Sequence, residues 1–152
     1  MKLAEALVLR ADIQKRVEQL RQRLTQSAMV QEGETPPEEP AALFAELARL
    51  LTQLPTLVTQ INRTNLQTRL PEGKTLTQAL AERDALDLRL SVLNTLAQVP
   101  SSRTNRYSRS EIRYVITVDM GDIRRQIDQL AQQRRELDTA IQATNWNTDL
   151  VE

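Results

Sequence analysis

The chain has 152 residues, enough for one domain with a substantial core, and its 20 basic residues balance its 20 acidic residues. A formal net charge of zero gives no overall attraction to nucleic acid or to anionic membranes, so any such attraction must be local. The absence of histidine and cysteine excludes disulfides, thiolate nucleophiles and soft metal sites, and it removes the usual general base of nucleophilic catalysis. We therefore expect one non-enzymatic, cytoplasmic domain over residues 1–152.

The first predicted element is one long amphipathic helix from Leu3 to about Met29, because its apolar residues recur every three or four positions. Its initial apolar run is too short for a signal-peptide core and is interrupted by Glu5. The acidic segment 31–40 carries three prolines and a glycine, so it should end the helix and form a flexible connection. No window approaches the roughly 18 uncharged apolar residues that span a bilayer, which favours a soluble protein.

Two further helices follow from heptad-like spacing. The second has a continuous apolar seam that consists of Leu43, Leu47, Leu50, Leu54, Leu57 and Ile61. Pro55 lies within it and predicts a kink near Leu51 or a short break. After the turn 71–74, Thr75 is a suitable N-cap for the third helix. The apolar positions of that helix are Leu76, Leu80, Leu86, Leu90, Leu93 and Ala97.

The segment before the last helix differs from the rest of the chain. Residues 112–118 are rich in β-branched and aromatic side chains that alternate, which predicts a short strand. A strand must pair, either with the basic stretch before it or with the same strand of another copy. Asp119 can cap a fourth helix, and from Asn145 onward the chain should leave that helix, with Trp146 folded back onto the bundle. The seam of the fourth helix is Ile123, Ile127, Leu130, Arg134, Leu137 and Ile141.

These elements predict a mainly α fold. We expect a bundle of four antiparallel helices with a short β-strand or hairpin inserted before the last helix, and a basic loop plus strand over 101–118. The unpaired strand and the long seams, which two subunits can share, also predict a homo-oligomer, a dimer or higher. An unidentified protein partner is possible as well, whereas nucleic acid and membranes are disfavoured as partners.

Four segments resemble small uncharacterised bacterial helical proteins, some of which are labelled septicolysin-like. The segments are INRTN (61–65), EGKTLTQALAERD (72–84), SRSEIRYVITVD (108–119) and NWNTDL (145–150). With the helical spacing between them, they extend the resemblance over most of the chain. The resemblance says almost nothing about function, but the septicolysin label implies a membrane-active, pore-forming protein. That activity is the first alternative to a non-enzymatic interaction protein.

One candidate binding segment combines arginines with tyrosines. Its residues are Arg103, Arg106, Tyr107, Arg109 and Arg113. Arginine beside an aromatic ring can hold a phosphate and stack on a base, so binding of single-stranded nucleic acid is a second alternative. A solvated loop, or arginines paired with acidic residues of another subunit, is favoured because the chain is neutral as a whole.

A second set of polar residues could meet inside the bundle: Asn62, Arg63, Asn65, Arg83, Asp84 and Arg134. An arginine in an apolar stripe must find a carboxylate or a carbonyl, which favours a structural network over a pocket for an anionic small molecule. The pairs Asp84/Asp87 and Asp119/Asp122 have the spacing of magnesium-binding motifs in helical hydrolases. Salt bridges and helix capping explain these pairs better, so we predict no metal site and no cofactor.

Overall fold

The computed structural model describes residues 1–100 and 113–152, which form four α-helices and no β-strand. The helices are α1 (Leu3–Ser27), α2 (Pro40–Gln67), α3 (Leu76–Ala97) and α4 (Met120–Asn147). Each helix covers the apolar seam predicted for it, so the mainly α fold with four helices is confirmed.

The chain folds into two compact units. Unit 1 comprises Met1–Thr77 and Gln142–Glu152, and unit 2 comprises Gln78–Ile141. Unit 1 therefore contains α1, α2 and both chain ends, and unit 2 contains most of α3 and α4.

In unit 1, α1 and α2 pack against each other in antiparallel orientation. Arg16 pairs with Glu46, whereas Arg23, farther along α1, pairs with Glu38 just before α2. Spacings of three, four and seven residues place the apolar side chains of each helix on one stripe. The buried residues of these stripes include Leu3, Ala6, Ile13 and Leu20 of α1, and Leu43, Leu50, Leu57 and Ile61 of α2.

α2 continues without interruption through Pro55. Of the two outcomes predicted for this proline, the short break does not occur. Leu50 and Leu57, one on each side of Pro55, are both buried. Their packing holds the helix together across the position where proline removes a backbone hydrogen bond.

The two chain ends pair with each other in unit 1. The Leu3 N–H donates to the Thr148 carbonyl at 2.9 Å, and the Leu150 N–H donates to the Met1 carbonyl at 2.9 Å. α4 extends to Asn147, and Trp146 is 58% exposed. The predicted exit from the helix at Asn145 and the predicted packing of Trp146 are therefore wrong, because the hydrogen bonds to the N-terminus are made by Thr148 and Leu150, beyond the end of α4.

In unit 2, α3 and α4 pack in antiparallel orientation, with Arg83 paired to Asp138 and Asp87 paired to Arg134. Asp119 caps α4 as predicted, since its Oδ1 accepts the Asp122 N–H at 3.0 Å. The buried centre consists of Leu93, Ile123 and Leu130, surrounded by half-buried Leu86, Leu90, Leu96, Ala97, Met120 and Ile127.

Residues 113–118 are irregular and belong to no strand. The whole stretch is exposed, including Val115 at 79%, so its alternating sequence does not produce one buried and one exposed face. For these described residues the predicted strand or hairpin is wrong, because no described segment supplies the backbone partners that a strand needs. Ile112 and the basic positions Arg103, Arg106, Tyr107 and Arg109 lie outside the described residues.

Candidate self-association surface

α3 carries two apolar faces within unit 2. One face packs on α4 through Leu86, Leu90 and Leu93. The other, which we call the outer seam, is exposed and consists of Ala81, Ala85, Leu88, Val92 and Thr95. With 3.6 residues per turn, the outer seam lies roughly opposite the side that faces α4. Leu88 is 71% exposed and Val92 is 61% exposed, so two large apolar side chains stand one turn apart in solvent.

The distribution of apolar residues around α3 is unusual among these helices. In α2 and α4 the apolar residues are concentrated on one face, whereas in α3 they are spread around the helix among charged residues. Single exposed apolar residues are ordinary, but the outer seam is a row of mostly apolar positions on the side away from α4. The four-three spacing of the outer seam is the pattern with which helices pair.

A groove of about 410 Å³ lies at the C-terminal end of α3. Val99, two residues beyond the end of the helix, lines this groove. The remaining lining residues are Leu96, Pro100, Tyr114, Val115, Ile116, Thr117 and Val118. Because nearly all of them are apolar, an apolar surface joins the C-terminal end of α3 to the segment that precedes α4.

Two ion pairs join α3 to α4 in unit 2. Arg83 Nη1 lies 2.7 Å from Asp138 Oδ1, and Arg134 Nε lies 2.8 Å from Asp87 Oδ1. The hydrogen bond from Arg134 is the main cause that lowers the pKa of Asp87, and the same bond raises the pKa of Arg134. These pairs fix the orientation of α3 on α4. They thereby keep the outer seam on the side of α3 that faces away from α4.

The predicted polar residues fall in both units. Asn62, Arg63 and Asn65 belong to unit 1, where Arg63 donates to the Glu152 carbonyl at 2.8 Å. Arg63, Arg83 and Arg134 therefore each have a partner: the Glu152 carbonyl, Asp138 and Asp87 respectively.

Asp138 is a partner that the sequence analysis missed. The sequence carries a signal for it, since Arg83 and Asp87 on α3 are four residues apart, as are Arg134 and Asp138 on α4. Opposite charges at this spacing lie on one face of a helix and can pair across to a neighbouring helix.

Little of the predicted basic segment can be placed. Arg113 is exposed, and the other four residues of that segment lie outside the described residues. In the described part of the chain, no three acidic side chains converge on a site that could hold a metal ion.

One helix in the described ranges, α2, is long and apolar enough to cross a membrane by length and composition alone. Its most apolar window has a mean hydropathy of 1.2, and 17% of that window is buried. Core helices of soluble proteins also meet these two criteria.

Comparison with known proteins identifies a family and a fold. A model described as a family of unknown function, DUF6847, matches residues 10–150. Among solved structures, the crystal structure of a functionally unknown conserved protein from Corynebacterium diphtheriae is 46% identical in sequence, with a TM-score of 0.89 over 99% of both chains. None of the curated proteins compared with the chain matches it. The chain therefore belongs to DUF6847, a family of unknown function.

Proposed function

We propose that this protein is a non-enzymatic, cytoplasmic helical protein that associates with itself through the outer seam of α3. The observation that carries the proposal is the row of exposed apolar side chains opposite the face that α3 presents to α4. Covering that row removes apolar surface from water, which is the main driving force of most protein association. The cellular role then lies in what the assembled protein binds.

The charged residues that flank the outer seam favour a second copy of the chain as the partner. In heptad notation the outer seam supplies the a and d positions, Glu82 and Arg89 lie at e, and Asp84 lies at g. If two α3 helices pair in parallel, Arg89 of each copy faces Asp84 of the other. If they pair antiparallel, Arg89 faces Glu82 instead. The flanks of the seam are thus complementary to themselves in either direction.

The outer seam alone is short for a stable interface. The outer seam from Ala81 to Thr95 is only about 21 Å long at 1.5 Å per residue, whereas a stable interface buries about 800 Å² on each partner. The exposed apolar residues around the groove, including Val99, Tyr114 and Val115, extend the surface beyond the seam. We therefore infer that both parts are covered together in the dimer.

The direct test is light scattering coupled to a sizing column. We expect the wild-type protein to be a dimer and the double variant Leu88→Glu/Val92→Glu to be a monomer with unchanged helical circular dichroism, because both positions are exposed. The matched control is Phe44→Glu/Leu51→Glu, which places the same charges on exposed apolar positions of α2. A monomeric wild type, or a dimer that only the control variant dissociates, would contradict the proposal.

Charge reversal then determines the direction of pairing. Arg89→Glu should weaken the dimer, because it places like charges on opposite sides of the seam. Adding Asp84→Arg should restore dimerisation if the helices are parallel, and adding Glu82→Arg should restore it if they are antiparallel. Failure of both double variants to recover the dimer would show that Arg89 does not flank the interface.

A second candidate function is membrane activity, which the length and hydropathy of α2 favour. Insertion of α2 would have to release Leu43, Leu50 and Leu57 from unit 1, where they are buried. Neither the family description nor the description of the solved relative names such an activity. Dye release from vesicles of phosphatidylcholine and phosphatidylglycerol tests this function, and intact vesicles at high protein concentration would count against it.

A further inference from the structure

An open cleft of about 390 Å³ lies between α1 and α2 in unit 1, away from the outer seam. Its volume falls in the range of small-molecule sites, roughly 300–1,000 Å³. Leu9, Ile13 and Leu50 supply its apolar part, and Ile13 is only 2% exposed and Leu50 only 3% exposed. These side chains belong to the packed interface of the two helices, so the apolar part of the cleft is rigid.

Charged side chains of both helices line the same cleft: Asp12, Lys15 and Arg16 from α1, and Arg49 from α2. Lys15 and Arg16 lie three and four positions after Asp12, which places each of them beside Asp12 on the helix surface. The cleft therefore combines three cations with one carboxylate.

The cations differ in how they are held. Arg16 donates through Nη2 to Glu46 at 2.6 Å, which fixes its guanidinium while its other N–H groups stay available. The side chains of Lys15 and Arg49 form no hydrogen bond or ion pair with any residue in the described part of the chain. Two uncommitted cations beside a fixed guanidinium favour an anion with several acceptor oxygens, such as a phosphate.

The remaining polar side chains of the cleft indicate which kind of molecule carries the phosphate. Asp12 accepts hydrogen bonds and repels a second anionic group, while the amides of Gln19 and Gln53 both donate and accept. Hydroxyl groups of a ligand can form hydrogen bonds with all three side chains. A short carbon skeleton can lie on the apolar part of the cleft. The lining contains no aromatic ring on which a base could stack. We propose that this cleft binds a compact phosphate ester that bears hydroxyl groups, of the sugar-phosphate class.

Isothermal titration of the full-length protein at low ionic strength tests the proposal, with ribose 5-phosphate as the probe and ribose and inorganic phosphate as comparisons. We expect ribose 5-phosphate to bind most tightly, inorganic phosphate more weakly and ribose not at all. The double variant Lys15→Ala/Arg49→Ala should raise the Kd of ribose 5-phosphate by about tenfold or more. Salt should weaken binding, because exposed charges are screened.

The matched control is Arg21→Ala. Arg21 is an exposed cation of α1 outside the cleft, paired with Glu18 at 3.1 Å. This variant should leave the Kd within about twofold of the wild-type value. Absence of heat at about 10 mM probe, a range of very weak binding, would overturn the proposal, as would an equal loss of affinity in Arg21→Ala. Equal affinity for inorganic phosphate would overturn the assignment of an ester.

Discussion

Arg134 of α4 pairs with Asp87 of α3, with 2.8 Å between Nε and Oδ1, although Arg134 occupies a position in the apolar seam of its own helix. Arginine can lie at such a position because its aliphatic stem covers apolar surface while the guanidinium reaches the edge of the helix pair. Together with the pair of Arg83 and Asp138, this contact fixes how α3 and α4 align along each other, in addition to their apolar packing.

The first prediction concerns acid stability. Because the pKa of Asp87 is lowered in the folded protein, its pair with Arg134 stabilises fully above the unfolded value near 3.9, and this contribution is lost as the pH falls through the lower folded value. Asp87→Asn should therefore lower the free energy of unfolding at pH 7 but change it little well below pH 3.9. Urea denaturation at both pH values measures the difference.

The control for this prediction is Asp128→Asn. Asp128 is exposed on α4 and forms no ion pair with the described residues, so the substitution should change stability little at either pH. A loss in Asp87→Asn that stays constant from neutral to acidic pH would show that the carboxylate charge is not what stabilises the contact.

The second prediction concerns the attachment of the chain end to α2. The buried Thr64 hydroxyl donates to the Gln60 carbonyl at 2.7 Å and accepts the Val151 N–H at 3.0 Å. Thr64→Val keeps the shape but removes both bonds, so it should destabilise the protein by about 1–3 kcal/mol. The matched control is Thr52→Val in the same helix, where the exposed hydroxyl bonds only to the Ala48 carbonyl at 2.9 Å. The free energy of unfolding of Thr52→Val should stay within about 0.5 kcal/mol of the wild-type value. Equal losses of stability in the two variants would contradict a role for the contact with Val151.

The third prediction concerns the turn before α3. Gly73 has a φ of +100°, and a Cβ added there would meet no atom within 4 Å, so Gly73→Ala costs only the backbone strain of about 1–2 kcal/mol. Gly121 has no such φ; its added Cβ would lie 3.3 Å from Asp119 Oδ1, the atom that accepts the Asp122 N–H at the start of α4, so this atom would have to give by a few tenths of an ångström. Gly121→Ala should therefore stay within about 1 kcal/mol of the wild type. Similar thermal midpoints for the two variants would contradict the strain at Gly73.

The fourth prediction follows from the proposed dimer. Association stabilises the folded state by mass action, so the thermal midpoint of the wild-type protein should rise with protein concentration. The midpoint of Leu88→Glu/Val92→Glu should not depend on concentration, whereas that of Phe44→Glu/Leu51→Glu should. Calorimetry over a hundredfold range of concentration checks this, and a flat wild-type profile would argue against association.

The predicted strand and the predicted packing of Trp146 fail for one physical reason. Residues 112–118 carry the local composition of a strand, but a strand is stable only when another segment supplies hydrogen-bond partners. Trp146 was expected to pack because large aromatic side chains favour burial, yet burial depends on which neighbours surround the end of α4. Both predictions relied on local preference where the outcome depends on distant residues.

The sequence by itself determined the number of helices and the apolar seam of each one, because helical periodicity is a property of neighbouring residues. It also indicated that Arg134 needs an anionic partner. Only the tertiary structure decided that this partner is Asp87 and that Lys15 and Arg49 face one cleft. These outcomes depend on how separate helices pack against one another, which the order of residues within a single helix does not specify.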